Sequence, residues 1–258
     1  MYLSCLLIDV GDNPDRPRPG RLWLRNIYHV HQRLCMAFPS APRRADDADF
    51  LEPFDPQHFG AGQVHVVRGS HAGFLFRIDP KPGGRAVIVV QSAVRPDWEY
   101  AFRNAGYLLA CAPQAKQFHP SFQVNQRLRF RLVANPTKKI GTLSKDERQA
   151  KKEGRNGSRV PVRPEQLHEW LARRAALAGF LVEQDAVSIQ PGYVYVKKPN
   201  GDGSHDDGKK PNSGRRRSVR YEGTLTVTDP ATFKNALVRG IGPAKAFGFG
   251  LLSVAPVS

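Results

Sequence analysis

Two side chains three residues apart, Tyr28 and His31, are this chain's best candidates for proton chemistry. They lie in residues 21–38, where Trp23, Ile27, Val30, Leu34 and Phe38 recur at the spacing of one helical face before Pro39 ends the run. At about 100° per residue, His31 falls roughly 55° from the centre of that apolar stripe. Tyr28 shares its flank, and His29 points the opposite way. A histidine at a stripe edge is partly desolvated yet still able to meet a ligand. Its ordinary pKa of about 6.5 suits proton transfer near neutrality. The same spacing equally describes a boundary histidine whose hydrogen bonds are satisfied and which does no chemistry.

Two other stretches carry charge in a pattern. Near the end, Gly240, Gly242, Gly248 and Gly250 surround Lys245. Freed backbone N–H groups and one cation suit a phosphate, but neither the Walker pattern nor the dinucleotide pattern is present. A tight helix-to-strand turn explains the glycines as well. In residues 125–134, Arg127, Arg129 and Arg131 alternate with Leu128, Phe130 and Leu132. Period two puts the arginines on one sheet face, about 6.6 Å apart, close to the phosphate spacing of a single strand. A solvated outer face reads the same way. His58, His65, His71, His119, His168 and His205 form no constellation, and Trp98 and Phe102 read as core. No pair or cluster has metal-ligand spacing, so no metal and no cofactor are expected.

The bulk properties select the partner. The chain has 258 residues, 40% hydrophobic and 24% charged, which is ordinary for a globular protein. Its 39 Lys and Arg against 23 Asp and Glu give a net charge of +16, so the partner is a polyanion. No apolar run reaches the ~18 residues of a membrane span, which favours nucleic acid over a membrane surface. The apolar start ends at Asp9 with no basic residue before it, and reads as a strand rather than a signal peptide. The cysteines, Cys5, Cys35 and Cys111, are odd in number and far apart, consistent with a reducing cytoplasm.

The elements that would position these residues follow a repeated order. Strands are expected at 2–10, 64–68, 73–79, 85–92 and 122–134, with helices at 21–38 and 96–110. Residues 40–62 read as irregular. This is the order of one ferredoxin-like unit, over 1–134. Residues 135–159 form a basic linker. A second unit, 160–258, has helices at 164–178 and from Asp229 to about Val238. Its strands are expected at 160–162, 180–189, 193–197, 219–228 and 251–257. A polar insertion, 199–217, interrupts it, and the run Arg215–Arg217 reads as solvated charge. The fold class is α+β, in tandem ferredoxin-like (RNA-recognition-motif-like) domains.

Four stretches together resemble the CasE family, the CRISPR repeat-processing endoribonucleases of type I-E systems. These are Met1-Tyr-Leu-Ser4, Tyr28-His-Val-His-Gln32 followed by Phe38-Pro39, Arg127-Leu-Arg-Phe-Arg-Leu-Val-Ala-Asn-Pro136, and the glycine-rich tail 239–253. They occur in family order and span the chain. The resemblance implies two RNA-recognition-like folds and metal-independent RNA cleavage, with His31 moving a proton and Tyr28 assisting. It implies that Arg127, Arg129, Arg131, Lys138, Lys139, Gly240, Gly242, Lys245 and Gly248 hold the RNA. The substrate would be CRISPR precursor RNA, cut at the 3′ base of the repeat hairpin to leave a 5′-OH and a 2′,3′-cyclic phosphate. The hairpin would be retained among the other Cascade subunits. Two departures stand out. Some relatives carry a lysine shortly after the histidine, where this chain has Gln32-Arg-Leu-Cys-Met36. Val133 stands where some add an arginine. Charge cover then falls to Arg33, if it faces the site, or to another group. The rival readings are a non-catalytic RNA-hairpin-binding protein and a ribosome-associated one.

Overall fold

A mostly apolar run beginning at Tyr2 forms the strand β1, Tyr2–Asp9, whose alternate residues Ser4, Leu6 and Ile8 are buried. In this computed structural model the described residues are 1–11, 19–49, 73–82, 85–139, 159–197 and 214–257. β1 pairs antiparallel with β3 (Arg85–Ser92) and β4 (Gln114–Gln117), and β3 pairs with β2 (Phe74–Lys81). The sheet order is β2-β3-β1-β4. Leu6, Ile8, Phe76, Ile88 and Val90 pack under the helices in one core, together with Trp98 and Phe102 of α4 (Trp98–Phe102). β4 escapes the sequence pattern because all four of its residues are exposed, leaving no alternation to read. The expected strand at 64–68 lies outside the described residues.

The single helix expected over 21–38 is two helices, α1 (Pro19–Arg25) and α2 (Ile27–Cys35). The break is at Asn26, whose extended backbone (φ −111°, ψ 99°) caps α2, with its side chain accepting from the Tyr28 N–H. Asparagine competes with helical backbone for hydrogen bonds and so favours caps. Its amide also donates to Lys197 O (2.8 Å), and its Oδ1 accepts from Lys197 N (3.0 Å). The region expected to be irregular holds a short helix, α3 (Ala41–Asp46), capped by Ser40. There Arg43, fully buried, meets Asp47 at 2.6 Å.

The second sheet runs β11-β5-β10-β8, with β9 also on β10. It comprises β5 (Arg127–Ala134), β8 (Phe180–Val182), β9 (Ser188–Val196), β10 (Gly214–Val227) and β11 (Leu252–Pro256). The helices α5 (Leu167–Leu177) and α6 (Pro230–Arg239) pack Trp170, Leu171, Phe233 and Leu237 against Leu128, Leu132, Tyr221 and Leu225. Asp229 caps α6 as its sequence predicts, accepting from the N–H groups of Ala231 and Thr232. With β9 set aside, the strands of each sheet stand in the order fourth, first, third, second along their own stretch of chain. Two successive β-α-β-β-α-β units give this order, the tandem ferredoxin-like α+β fold.

That order corrects one assignment. The strand expected to close the first unit, β5, pairs with β10 and β11 in the second sheet. It is the opening strand of the second unit, and a boundary at 134 would separate it from its partners. The ends of the expected linker are also ordered: β6 (Thr137–Lys139) pairs with β7 (Arg159–Pro161), while 140–158 lie outside the described residues. Of the polar insertion, 199–213 lie outside them too. Arg215–Arg217 belong to β10, paired with Tyr193–Tyr195 of β9, where Arg215 and Arg216 are exposed and Arg217 is half-buried.

Candidate active site and RNA-binding face

The packing of α2 on β2 sets the position of His31. Ile27, Val30 and Leu34 of α2 are buried, and His31 at the stripe edge is half-buried. Its ring lies 5.4 Å from that of Phe74 and is stacked on Phe76, with centroids 6.1 Å apart and planes 15° from parallel. Cys35 Sγ lies 3.7 Å from its Nε2. Tyr28, one turn earlier, is half-buried against the same core, and His29 is exposed. The two candidate side chains therefore share the half-open flank of one helix, with apolar rings behind the imidazole.

Arg33 does not face this site. Two residues on from His31 is about 200° around the helix. The Arg33 guanidinium donates instead to Ala101 O (2.9 Å) and Asn104 Oδ1 (2.8 Å) at the end of α4. Burial lowers its pKa from the ordinary arginine value.

The glycine loop comes to the same place. Gly248 has φ +76°, and a Cβ there would lie 3.3 Å from Phe76 Cε2 and 3.6 Å from Ile27 Cδ1. The loop thus rests on the phenylalanine whose ring stacks on His31. Gly240, at φ +73°, faces Leu75, 2.8 Å from where a Cβ would stand, and Gly242 faces Trp170. Close packing against the protein's own side chains is enough to demand these glycines. The N–H of Gly240 donates to Ala236 O and that of Gly248 to Lys245 O, so neither amide is an open phosphate donor. Lys245, half-buried on the loop, is different. Burial lowers its pKa, and the nearby Arg239 lowers it further. An anion beside it would relieve both effects.

The arginine row of β5 has its predicted face, with Leu128, Phe130 and Leu132 buried beneath Arg127, Arg129 and Arg131. Its charges are unequal. Arg127 pairs with Glu183 at 2.6 Å. Arg131 pairs with Glu222 and lies 3.4 Å from Asp79. Arg129 is exposed and has no ion pair among the described residues. Lys138 and Lys139 stand on the β6–β7 hairpin, which docks on the second unit, where Lys138 Nζ reaches Gln166 Oε1 at 3.4 Å.

Sequence reading missed Arg216. Its guanidinium lies 6.0 Å from the ring of Phe247, in the glycine loop. The signal was present: the alternation that puts Val219 and Tyr221 on one face, continued back along the strand, puts Arg216 on the other, opposite Val194. Sequence reading also missed the tie between the two units. Arg77 of β2 forks onto Asp79 at 2.9–3.0 Å and donates to Ser253 Oγ of β11 at 2.8 Å. Burial alone would raise the Asp79 pKa, but the Arg77 hydrogen bond and the charges of Arg77, Arg131 and Arg220 bring it below the ordinary value.

The family described as CRISPR associated protein matches residues 1–256. The chain belongs to this family. Among its relatives, the CRISPR-associated endoribonuclease Cse3 of Thermus thermophilus is 35% identical over 222 residues, 83% of this chain and 94% of its own. The CRISPR system Cascade subunit CasE of Escherichia coli is 30% identical over 260 residues, covering all of both chains. A solved structure of Cse3 bound to a 19 nt RNA shares the fold at a TM-score of 0.67, with 30% identity over 99% of this chain and 100% of that one.

Proposed function

We propose that this chain is a metal-independent endoribonuclease. It cuts CRISPR precursor RNA at the 3′ base of each repeat hairpin and keeps the hairpin among the other Cascade subunits, in the cytoplasm. The observation that carries this reading is the meeting of α2, β2 and the glycine loop around Phe76, with His31 stacked on that ring. The relatives named as an endoribonuclease and as a Cascade subunit support it. Among the described residues, no helix is long and apolar enough to cross a membrane.

The chemistry needs no water and no metal. The ribose 2′-oxygen bonds to the adjacent phosphorus as the bond from phosphorus to the 5′-oxygen breaks. One proton leaves the 2′-OH and one reaches the departing 5′-oxygen, so the products are a 2′,3′-cyclic phosphate and a 5′-OH. His31 moves one of these protons, and Tyr28 orients the 2′-OH or the scissile phosphate. Preorganised charge covers the phosphorane oxygens. In this chain that charge comes from Lys245 on the loop and Arg216 over Phe247, in the role the resemblance gave to a lysine on the helix. Arg127, Arg129, Arg131, Lys138 and Lys139 hold the stem by its phosphates, with Gly240, Gly242 and Gly248 shaping the loop that carries Lys245. The two domains divide between β4 and β5.

Cleavage of the repeat hairpin in EDTA tests the reading. Full activity with cyclic-phosphate ends, read by mass spectrometry, is expected. Loss of cutting on chelation, or 3′-OH ends, would overturn it.

A further inference from the structure

The β9–β10 ladder reaches from the second sheet to the first unit, and its far end carries an unusual surface. Val196 is fully buried in the first core and Val194 packs against it. Alternation therefore turns Tyr193 and Tyr195 to the other face, where they are 67% and 48% exposed. Among the described residues β9 pairs with β10 alone and forms an edge. Across the ladder, Arg215 stands opposite Tyr195, and its guanidinium lies 5.7 Å from the ring of Tyr193. Residues 188–197 and 214–218 contain no acid. The strand also borders a cleft of about 840 Å³, whose lining includes Arg25, His29, Lys197 and Gly248. Gly248, at the border of this cleft, packs on Phe76, the ring on which His31 stacks.

Two exposed rings on alternate residues stand about 6.6 Å apart, with cations beside them and no acid among the described residues of the two strands' paired ends. Aromatic faces stack bases of any sequence, and flanking cations follow the backbone, which is how single strands are held. A duplex has its bases stacked already and offers these rings nothing. The unpaired chain joined directly to the scissile phosphate is the one on its 3′ side. The other unpaired chain begins on the opposite strand, a stem's width away. We infer that Tyr193 and Tyr195, with Arg215 and Lys197, bind the unpaired nucleotides 3′ of the cut. This rests on the nuclease reading above. It makes the site favour uncut transcript over cut hairpin and lets the downstream fragment leave as a weakly held single strand.

The test uses hairpins made uncleavable by a 2′-deoxy nucleotide at the cut. One ends at the cut, one carries about six further 3′ nucleotides, and one carries the same number on the 5′ side. The full chain should bind the 3′-extended form about tenfold or more tightly than the unextended one. The double variant Tyr193→Ala, Tyr195→Ala should lose that gain and bind the unextended hairpin as wild type does, within about twofold. Tyr193→Phe with Tyr195→Phe should keep the gain, because the rings remain. A full gain in the alanine variant, or a gain that follows the 5′ extension, overturns the inference. Wild type that cuts the hairpin yet gains nothing from the 3′ extension overturns it alone. Wild type that neither holds nor cuts any hairpin overturns the nuclease reading and this inference with it. Loss of a protein partner by the alanine variant with its RNA gain intact would mark the face as a protein interface and contradict the inference.

Discussion

Asp79 shows how one residue joins the two units. It sits on β2 in the first sheet, buried, accepting hydrogen bonds from Nε and Nη2 of Arg77, whose Nη1 reaches Ser253 of the second sheet. Removing one member of a buried pair leaves the other charge unmatched, at a cost of about 3–5 kcal/mol. Asp79→Ala is expected to lower the unfolding midpoint in urea accordingly. The pH dependence has a definite sign. The folded pKa is below the ordinary one, so the carboxylate's contribution is complete above the unfolded value of about 3.9. It is lost as pH falls through the folded value. Melts of wild type taken downward from pH 5 should show this acid loss, and those of Asp79→Asn should start lower and fall less steeply. Equal slopes would remove Asp79 from the account.

At the scale of elements, α2 is held at its start by a contact from far along the chain. Asn26 satisfies the Tyr28 N–H and both backbone groups of Lys197 at once. Asn26→Ala is expected to cost about 1–2 kcal/mol as a lost cap. Cleavage should slow more than hairpin binding weakens, since the helix carrying His31 loses its anchor. A melt and a single-turnover rate read the two effects, and an unchanged rate would contradict the anchoring role. The sequence shows why this was not legible. The apolar stripe of α2 and the Asp229 cap of α6 are local patterns and were read correctly. The break at Asn26 is decided by a partner 171 residues away. β4 has no buried residue to betray it. β5 declared its faces plainly, but nothing local says which sheet it joins, and only its ladders with β10 and β11 do. Likewise, His31 stood out at a stripe edge, while the loop's seat on Phe76 needed the fold.

For the whole molecule, a net charge of +16 meets a polyphosphate partner. If about six phosphates are held, hairpin affinity should fall about 10³-fold between 50 and 200 mM salt. The arginines of β5 should contribute unequally. Arg129→Ala should lower the salt slope by about one contact. Arg131→Ala should act less on that slope and more on stability, because Glu222 and Asp79 already engage its charge. Equal slopes for the two variants would contradict the assignment of free and spent charges. Charge alone serves a binding protein as well as a nuclease, so the central claim rests on His31. The most direct measurement is the single-turnover cleavage rate of the repeat hairpin by His31→Ala beside wild type, with hairpin affinity measured on the same preparations. A fall of about 10²–10⁴-fold in rate with affinity unchanged is the predicted result. Cutting by His31→Ala at the wild-type rate would contradict the account.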